Sequence, residues 1–212
     1  MALKSELVTM KKPNAGFSLI ELMVVVAIAI VVAAMAMPAV KRTITSYQLD
    51  SSAHSVASML QQTRMAAVRT NTPYYAQYNA NGALNNEAVA LPAIRPNAAN
   101  YDSSQDPTAA IAGNVIFQPL AQAPNHAQLD AYLGIAPDAG ALIGFNARGI
   151  PCTSAAGNPF LCDTAAPHGF EWFMQSSMGG DWAAISVTPA GRIRSWRLTS
   201  NNGGCGFPSC WQ

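Results

Sequence analysis

The 212-residue chain is half hydrophobic and only 11% charged, with a formal net charge of +1. Ordinary soluble domains carry about 25% charged residues, so a bulk basic field for nucleic acid and a disordered acidic tail are both excluded, and part of the chain is expected outside water. Three His and four Cys are too few for an elaborate metal protein, and the length suits one domain with an appendage.

In chain order the first element is a membrane-length helix. Leu22 to Val40 is an uninterrupted uncharged run. A hydrocarbon core takes roughly 20 helical residues, which the run supplies once Phe17, Ser18, Leu19 and Ile20 are added. A secretory signal peptide would have a shorter apolar core, about 7–15 residues, and a small-residue cleavage site; Met35-Ala36-Met37-Pro38 is a poor one. Lys4, Lys11 and Lys12 precede the run and favour a cytoplasmic amino end, although Lys41 and Arg42 on the far side keep the charge bias modest. Glu21 stands just inside the apolar segment. A carboxylate at the centre of a membrane helix costs about 2.5–3.5 kcal/mol, and less near the edge. It needs a partner, and no Lys or Arg lies within the span.

The junction Gly16-Phe17-Ser18-Leu19-Ile20-Glu21-Leu22, behind its basic leader, resembles the class III leader junction of type IV pilins and type II secretion pseudopilins. The resemblance implies cleavage after Gly16 by prepilin peptidase and N-methylation of the new terminal Phe17. It also implies a partner for Glu21, the α-amino group of Phe17 in a neighbouring subunit, which with a pKa near 8 is cationic at neutral pH. Pro38 falls where such pilins commonly carry a helix-kinking proline.

The helix is predicted to continue past the span. Leu49, Ala53, Val56, Leu60, Thr63 and Ala67 recur at steps of three and four, one face of an α-helix. Asn71-Thr72-Pro73 ends it near Thr70. A helix from Phe17 to Thr70 would be about 80 Å long if continuous. Beyond Pro73, short apolar runs separated by Gly, Pro, Asn and Asp predict an antiparallel β-domain. These runs are Tyr74–Tyr78, Val115–Phe117, Ala141–Phe145, Phe170–Met174, Trp182–Val187 and Ile193–Leu198. The stretches 79–114 and 118–140 read as long surface loops or irregular edge strands, with Val89-Ala90-Leu91 pairing at an edge. The expected organisation is a leader over 1–16, a transmembrane or filament-core helix over 17–40, an amphipathic continuation over 41–70, and one globular β domain over 71–212.

The helix exit from Leu60 to Pro73 and the segment Ile185-Ser186-Val187-Thr188-Pro189-Ala190-Gly191-Arg192-Ile193-Arg194 are similar to the GspH/FimT branch of pseudopilins. The fold this implies is α+β and type IV pilin-like: a long N-terminal helix packed on a C-terminal antiparallel β-sandwich-like head. The implied role is a minor subunit near a filament tip. In FimT-like pilins a Gly-Arg-x-Arg motif of this kind is associated with DNA binding during natural transformation. Alternation along a strand puts Arg192 and Arg194 on one side, about 6.5–7 Å apart, with Trp196 on the same side and Arg197 on the other. Arg suits bidentate phosphate contact, and the cluster offers about two or three contacts. The plain alternative is a pair of solvated arginines on an exposed hairpin, with Trp196 partly in the core.

The cysteines lie in two local pairs, Cys152 with Cys162 and Cys205 with Cys210. A head facing the periplasm or exterior would keep disulfides. Four cysteines allow three connectivities, of which local pairing is the simplest. Neither pair has the two-residue gap of a zinc knuckle, and His54, His126 and His168 are scattered, so no metal and no cofactor is expected. Asp163, His168 and Glu171 read as solvated loop residues, and without a nucleophile motif no enzyme is expected. The expected partners are prepilin peptidase, other major and minor pilins or pseudopilins, inner-membrane lipid and, on the alternative reading, DNA. The expected location is a single-pass inner-membrane protein with a periplasmic C-terminal domain, assembled into a pilus or pseudopilus.

Overall fold

The structure is a computed structural model that describes residues 17–78, 87–92, 104, 106–134, 142–155, 158–163, 167–177, 180–198 and 211–212. Contacts divide the chain into two compact units, one ending at Lys41 and one running from Arg42 to Gln212. Helix α1, Leu19–Thr70, contributes to both and contains Pro38. Its part in the first unit is apolar, exposed, and by length and composition able to cross a membrane.

In the second unit α1 becomes a core element. Leu49, Ala53, Val56, Leu60, Thr63 and Ala67, the residues at steps of three and four, are all buried. Three polar residues share that face because their hydroxyls return to the helix: Thr45 donates to the Arg42 carbonyl at 2.9 Å, Ser52 to Gln48 at 2.8 Å and Thr63 to Met59 at 2.7 Å. Such back-bonding removes the cost of burying an unpaired hydroxyl. The helix ends as Asn71 turns left-handed at φ 52° and the Thr72 N–H reaches back to the Ala67 carbonyl at 3.3 Å. This bond satisfies an orphan carbonyl of the last turn, and Asn is one of the residues that tolerates that conformation.

Among the described residues ten strands follow, all antiparallel in their pairings. They are β1 Tyr74–Tyr78, β2 Glu87–Pro92, β3 Thr108–Ala110, β4 Val115–Gln118, β5 Leu142–Phe145, β6 Pro151–Ala155, β7 Asn158–Asp163, β8 Phe170–Ser176, β9 Trp182–Val187 and β10 Ile193–Arg197. One sheet has the order β3-β2-β1-β5-β6-β7 and the other β10-β9-β8-β4. Ala76, Ala88, Ala90, Ile143 and Phe145 of the first sheet meet Phe170, Trp172, Met174, Ile185 and Val187 of the second and the buried face of α1 in one core. Small alanines on the first sheet leave room for the helix, and the aromatic residues of β8 fill the space opposite.

The other face of the four-stranded sheet carries a second core: Phe173, Trp182, Ala184, Trp196 and Leu198 under Leu129, Ala123 and Trp211. Leu129 belongs to α2, His126–Leu133, which follows a short 3-10 turn at Leu120–Gln122. Residues 211–212 return beside β10, exchanging backbone hydrogen bonds between Arg197 and Gln212 at 2.7 and 2.9 Å.

Two expectations are corrected. Val89-Ala90-Leu91 is not an edge: β2 is paired on both sides, with β1 and β3, and these three side chains are buried. Nor is 118–140 only loop, since α2 lies within it. The β6–β7 hairpin is a further element that hydrophobic patterning did not reveal.

Candidate functional site

The amino-terminal junction is described from Phe17 onward; Gly16 lies outside the described residues. Phe17 is exposed, and Glu21 occupies the exposed first turn of α1. An anionic side chain there is favourably placed against the positive end of the helix dipole. Leu22, Met23, Val24, Val25, Val26 and Ile28 beyond it are also exposed. An apolar surface of this kind is covered by lipid or by other chains.

In the second unit two turns of the same design meet. Asn146-Ala147-Arg148-Gly149 joins β5 to β6: the Asn146 carbonyl accepts from the Gly149 N–H at 2.8 Å, and Asn146 Oδ1 accepts from the Ile150 N–H at 3.0 Å. Thr188-Pro189-Ala190-Gly191 joins β9 to β10: the Thr188 carbonyl accepts from the Gly191 N–H at 2.7 Å, and Thr188 Oγ1 accepts from the Arg192 N–H at 3.1 Å. Both turns close on a glycine with positive φ, 73° at Gly149 and 76° at Gly191. Glycine adopts that conformation without strain.

Arg64 of α1 ties these turns together. Its Nε donates to the Gly149 carbonyl and its Nη1 to the Gly191 carbonyl, each at 2.9 Å. The main chains nearly touch, because a Cβ on Gly191 would lie 2.9 Å from the Gly149 oxygen. No sequence signal announced this arrangement; Arg64 is 85 and 127 residues from its acceptors.

The arginines near the carboxyl end separate by face. Arg192 is exposed and lies in the turn, one residue before β10. Arg194 is exposed, with its guanidinium carbon 4.0 Å from the centre of the Trp196 ring. Trp196 is buried, donates from Nε1 to Ser186 Oγ at 2.8 Å and meets Tyr132 edge-on. Arg197 points to the other side, where it pairs with Asp50 of α1 at 2.6 Å and donates to Ser46. The expected arginine cluster is therefore corrected: Arg197 is engaged by α1 and does not join Arg192 and Arg194.

Cys152 and Cys162 form a disulfide across the β6–β7 hairpin, with Cα atoms 5.4 Å apart. Cys205 and Cys210 lie outside the described residues. Among the described residues no group of three His, Cys, Asp or Glu side chains is arranged to hold a metal ion.

Glu171 is not the solvated residue expected from sequence. It stands in β8 at 6% exposure, with both carboxyl oxygens buried and without a donor. Burial first, and then the nearby Asp130 carboxylate, push its pKa up to about 9. Asp130 in turn faces His126 Nδ1 at 3.2 Å. Glu171 is thus held as a neutral acid at pH 7 by its burial beside a second carboxyl group.

Residues 11–37 match the Prokaryotic N-terminal methylation motif. No curated protein sequence matches the chain. Among solved structures, the chain is similar to the type IV minor pilin FimU of Pseudomonas aeruginosa PAO1, with 14% identity, 70% of this chain and 88% of that chain covered, and a TM-score of 0.43. It is also similar to the minor pseudopilin EpsH from the type 2 secretion system of Vibrio cholerae, with 9% identity, 72% and 99% covered, and a TM-score of 0.41.

Proposed function

We propose that the chain is a minor pilin or pseudopilin: a filament subunit, not an enzyme, processed by prepilin peptidase after Gly16, methylated on Phe17 and assembled through its apolar helix at or near a filament tip. The match of residues 11–37 to the N-terminal methylation motif carries this reading. Glu21 supports it, as a lone carboxylate in an apolar segment that a neighbouring subunit's Phe17 amino group would neutralise. Before assembly the chain crosses the inner membrane once, with residues 71–212 as a periplasmic head. The test is expression beside a prepilin peptidase, followed by mass spectrometry of the amino-terminal peptide. The expected peptide begins at Phe17 and carries one methyl group. An intact leader, or cleavage elsewhere, would overturn the reading.

A second reading, DNA capture by the same subunit for uptake in natural transformation, is favoured by a specific observation: Arg192 and Arg194 are both exposed, and among the described residues neither has a carboxylate partner. The mature chain in neutral detergent should bind duplex DNA with an affinity that falls with salt and is lost in Arg192→Ala/Arg194→Ala. Salt-insensitive binding, or binding unchanged in the double variant, would sink it.

A further inference from the structure

We propose that Arg148, on the β5–β6 turn, is a second phosphate-contacting arm beside Arg192, so that the DNA contact is a composite of two turns and not a single strand. The inference rests on the DNA reading above and adds a residue to it. Three observations carry it. Arg64 holds the two turns together through the Gly149 and Gly191 carbonyls, each at 2.9 Å. Arg148 and Arg192 are the immediate chain neighbours of those two glycines and are both exposed. Among the described residues no ion pair engages either guanidinium; the carboxylates of Asp50 and Asp130 are taken by Arg197 and His126.

The physical argument follows from the charge. A chain of net charge +1 has no bulk field to attract a polyanion, so its affinity must come from guanidinium groups gathered locally. Two side chains on one strand track a short part of one backbone. Two turns side by side root exposed arginines from separate chain segments on adjoining backbone. The backbone of each arginine is anchored by a side chain of its own turn: the Arg148 N–H donates to Asn146 Oδ1 at 2.8 Å and the Arg192 N–H to Thr188 Oγ1 at 3.1 Å. Their starting points are therefore fixed before DNA arrives, and only side-chain freedom is lost on binding.

The experiment measures binding of a fluorescent DNA duplex to the mature full-length chain in neutral detergent across a potassium chloride series. Wild type is compared with Arg148→Ala, Arg192→Ala, the double variant, and Arg42→Ala, an exposed arginine outside the turns. Each phosphate contact contributes about 0.9 to the slope of log affinity against log salt. Arg148→Ala and Arg192→Ala should each lower that slope by about 1 and the double variant by about 2, with Arg42→Ala unchanged. Arg148→Ala matching wild type while Arg192→Ala loses slope would overturn the composite contact and leave the DNA reading standing. No salt-dependent binding by wild type would overturn both. Tryptophan fluorescence confirms that each variant is folded.

Discussion

Glu171 shows how one position can set the response of a domain to pH. Its neutral form is favoured by burial and by Asp130, and its pKa is pushed from 4.5 up to about 9. Between those values the folded chain holds a proton that the unfolded chain has released. Stability therefore falls as pH rises through that window, by at most about 1.4 kcal/mol per pH unit, and is flat below it. Thermal unfolding followed by tryptophan fluorescence should give a lower midpoint at pH 8.5 than at pH 5.5, and Glu171→Gln should flatten that slope. Fluorescence suits the purpose because all four tryptophans, Trp172, Trp182, Trp196 and Trp211, are buried in the unit from Arg42 to Gln212. Gly191 makes a second residue-scale case. Alanine there must hold a φ of 76°, which costs about 1–3 kcal/mol, and its Cβ would also press on the Gly149 oxygen and the Arg64 guanidinium. Gly134 has the same φ of 76° with open space around it. Denaturant midpoints should therefore drop further for Gly191→Ala than for Gly134→Ala, the difference being the cost of crowding the turn.

Among the elements, legibility followed the locality of the signal. The second half of α1 was readable because its apolar residues repeat with the helical period, and because Asn71-Thr72-Pro73 is a local stop. Strands β8 and β9 were readable as dense apolar runs, since both faces are buried, one against α1 and one under α2. Helix α2 was not, although Gly134 after His126–Leu133 is a usual C-terminal cap and Leu129 and Tyr132 are three apart. Eight residues are too few to be helical alone; docking of Leu129 on the aromatic face of the sheet stabilises it. The β6–β7 hairpin, Pro151–Ala155 with Asn158–Asp163, also lacks an alternating apolar pattern and is held by the Cys152–Cys162 bond. Closing a loop with a sequence separation of 10 contributes roughly 2–3 kcal/mol through the unfolded state. Cys152→Ala/Cys162→Ala should lower the denaturant midpoint under oxidising conditions, and its loss of stability on adding reductant should be smaller than that of wild type.

At the scale of the molecule, the exposed apolar surface of the first unit and the low total charge mean that the chain is not finished as a monomer in water. Glu21 is the test of what finishes it. Glu21→Ala removes the carboxylate and leaves Gly16 and Phe17 unchanged. Cleavage and methylation should therefore proceed as in wild type, while the variant is absent from sheared filaments and accumulates in the membrane fraction. Equal recovery of variant and wild type in filaments would show that Glu21 has no role in assembly.

Local sequence was enough for what neighbouring residues encode: the N-terminal methylation motif, the apolar run that follows Glu21, the amphipathic stripe to Thr70 and the positions of most strands. Each depends on interactions within a few residues or on a period set by backbone geometry. The order of the sheets, the burial of β2, the burial of Glu171 near Asp130, the capture of Arg197 by Asp50 and the Arg64 bridge between the Gly149 and Gly191 turns came only with the tertiary structure. These pairings join residues tens of positions apart, and whether a guanidinium or a carboxyl is solvated or engaged depends on which surfaces the fold brings against it.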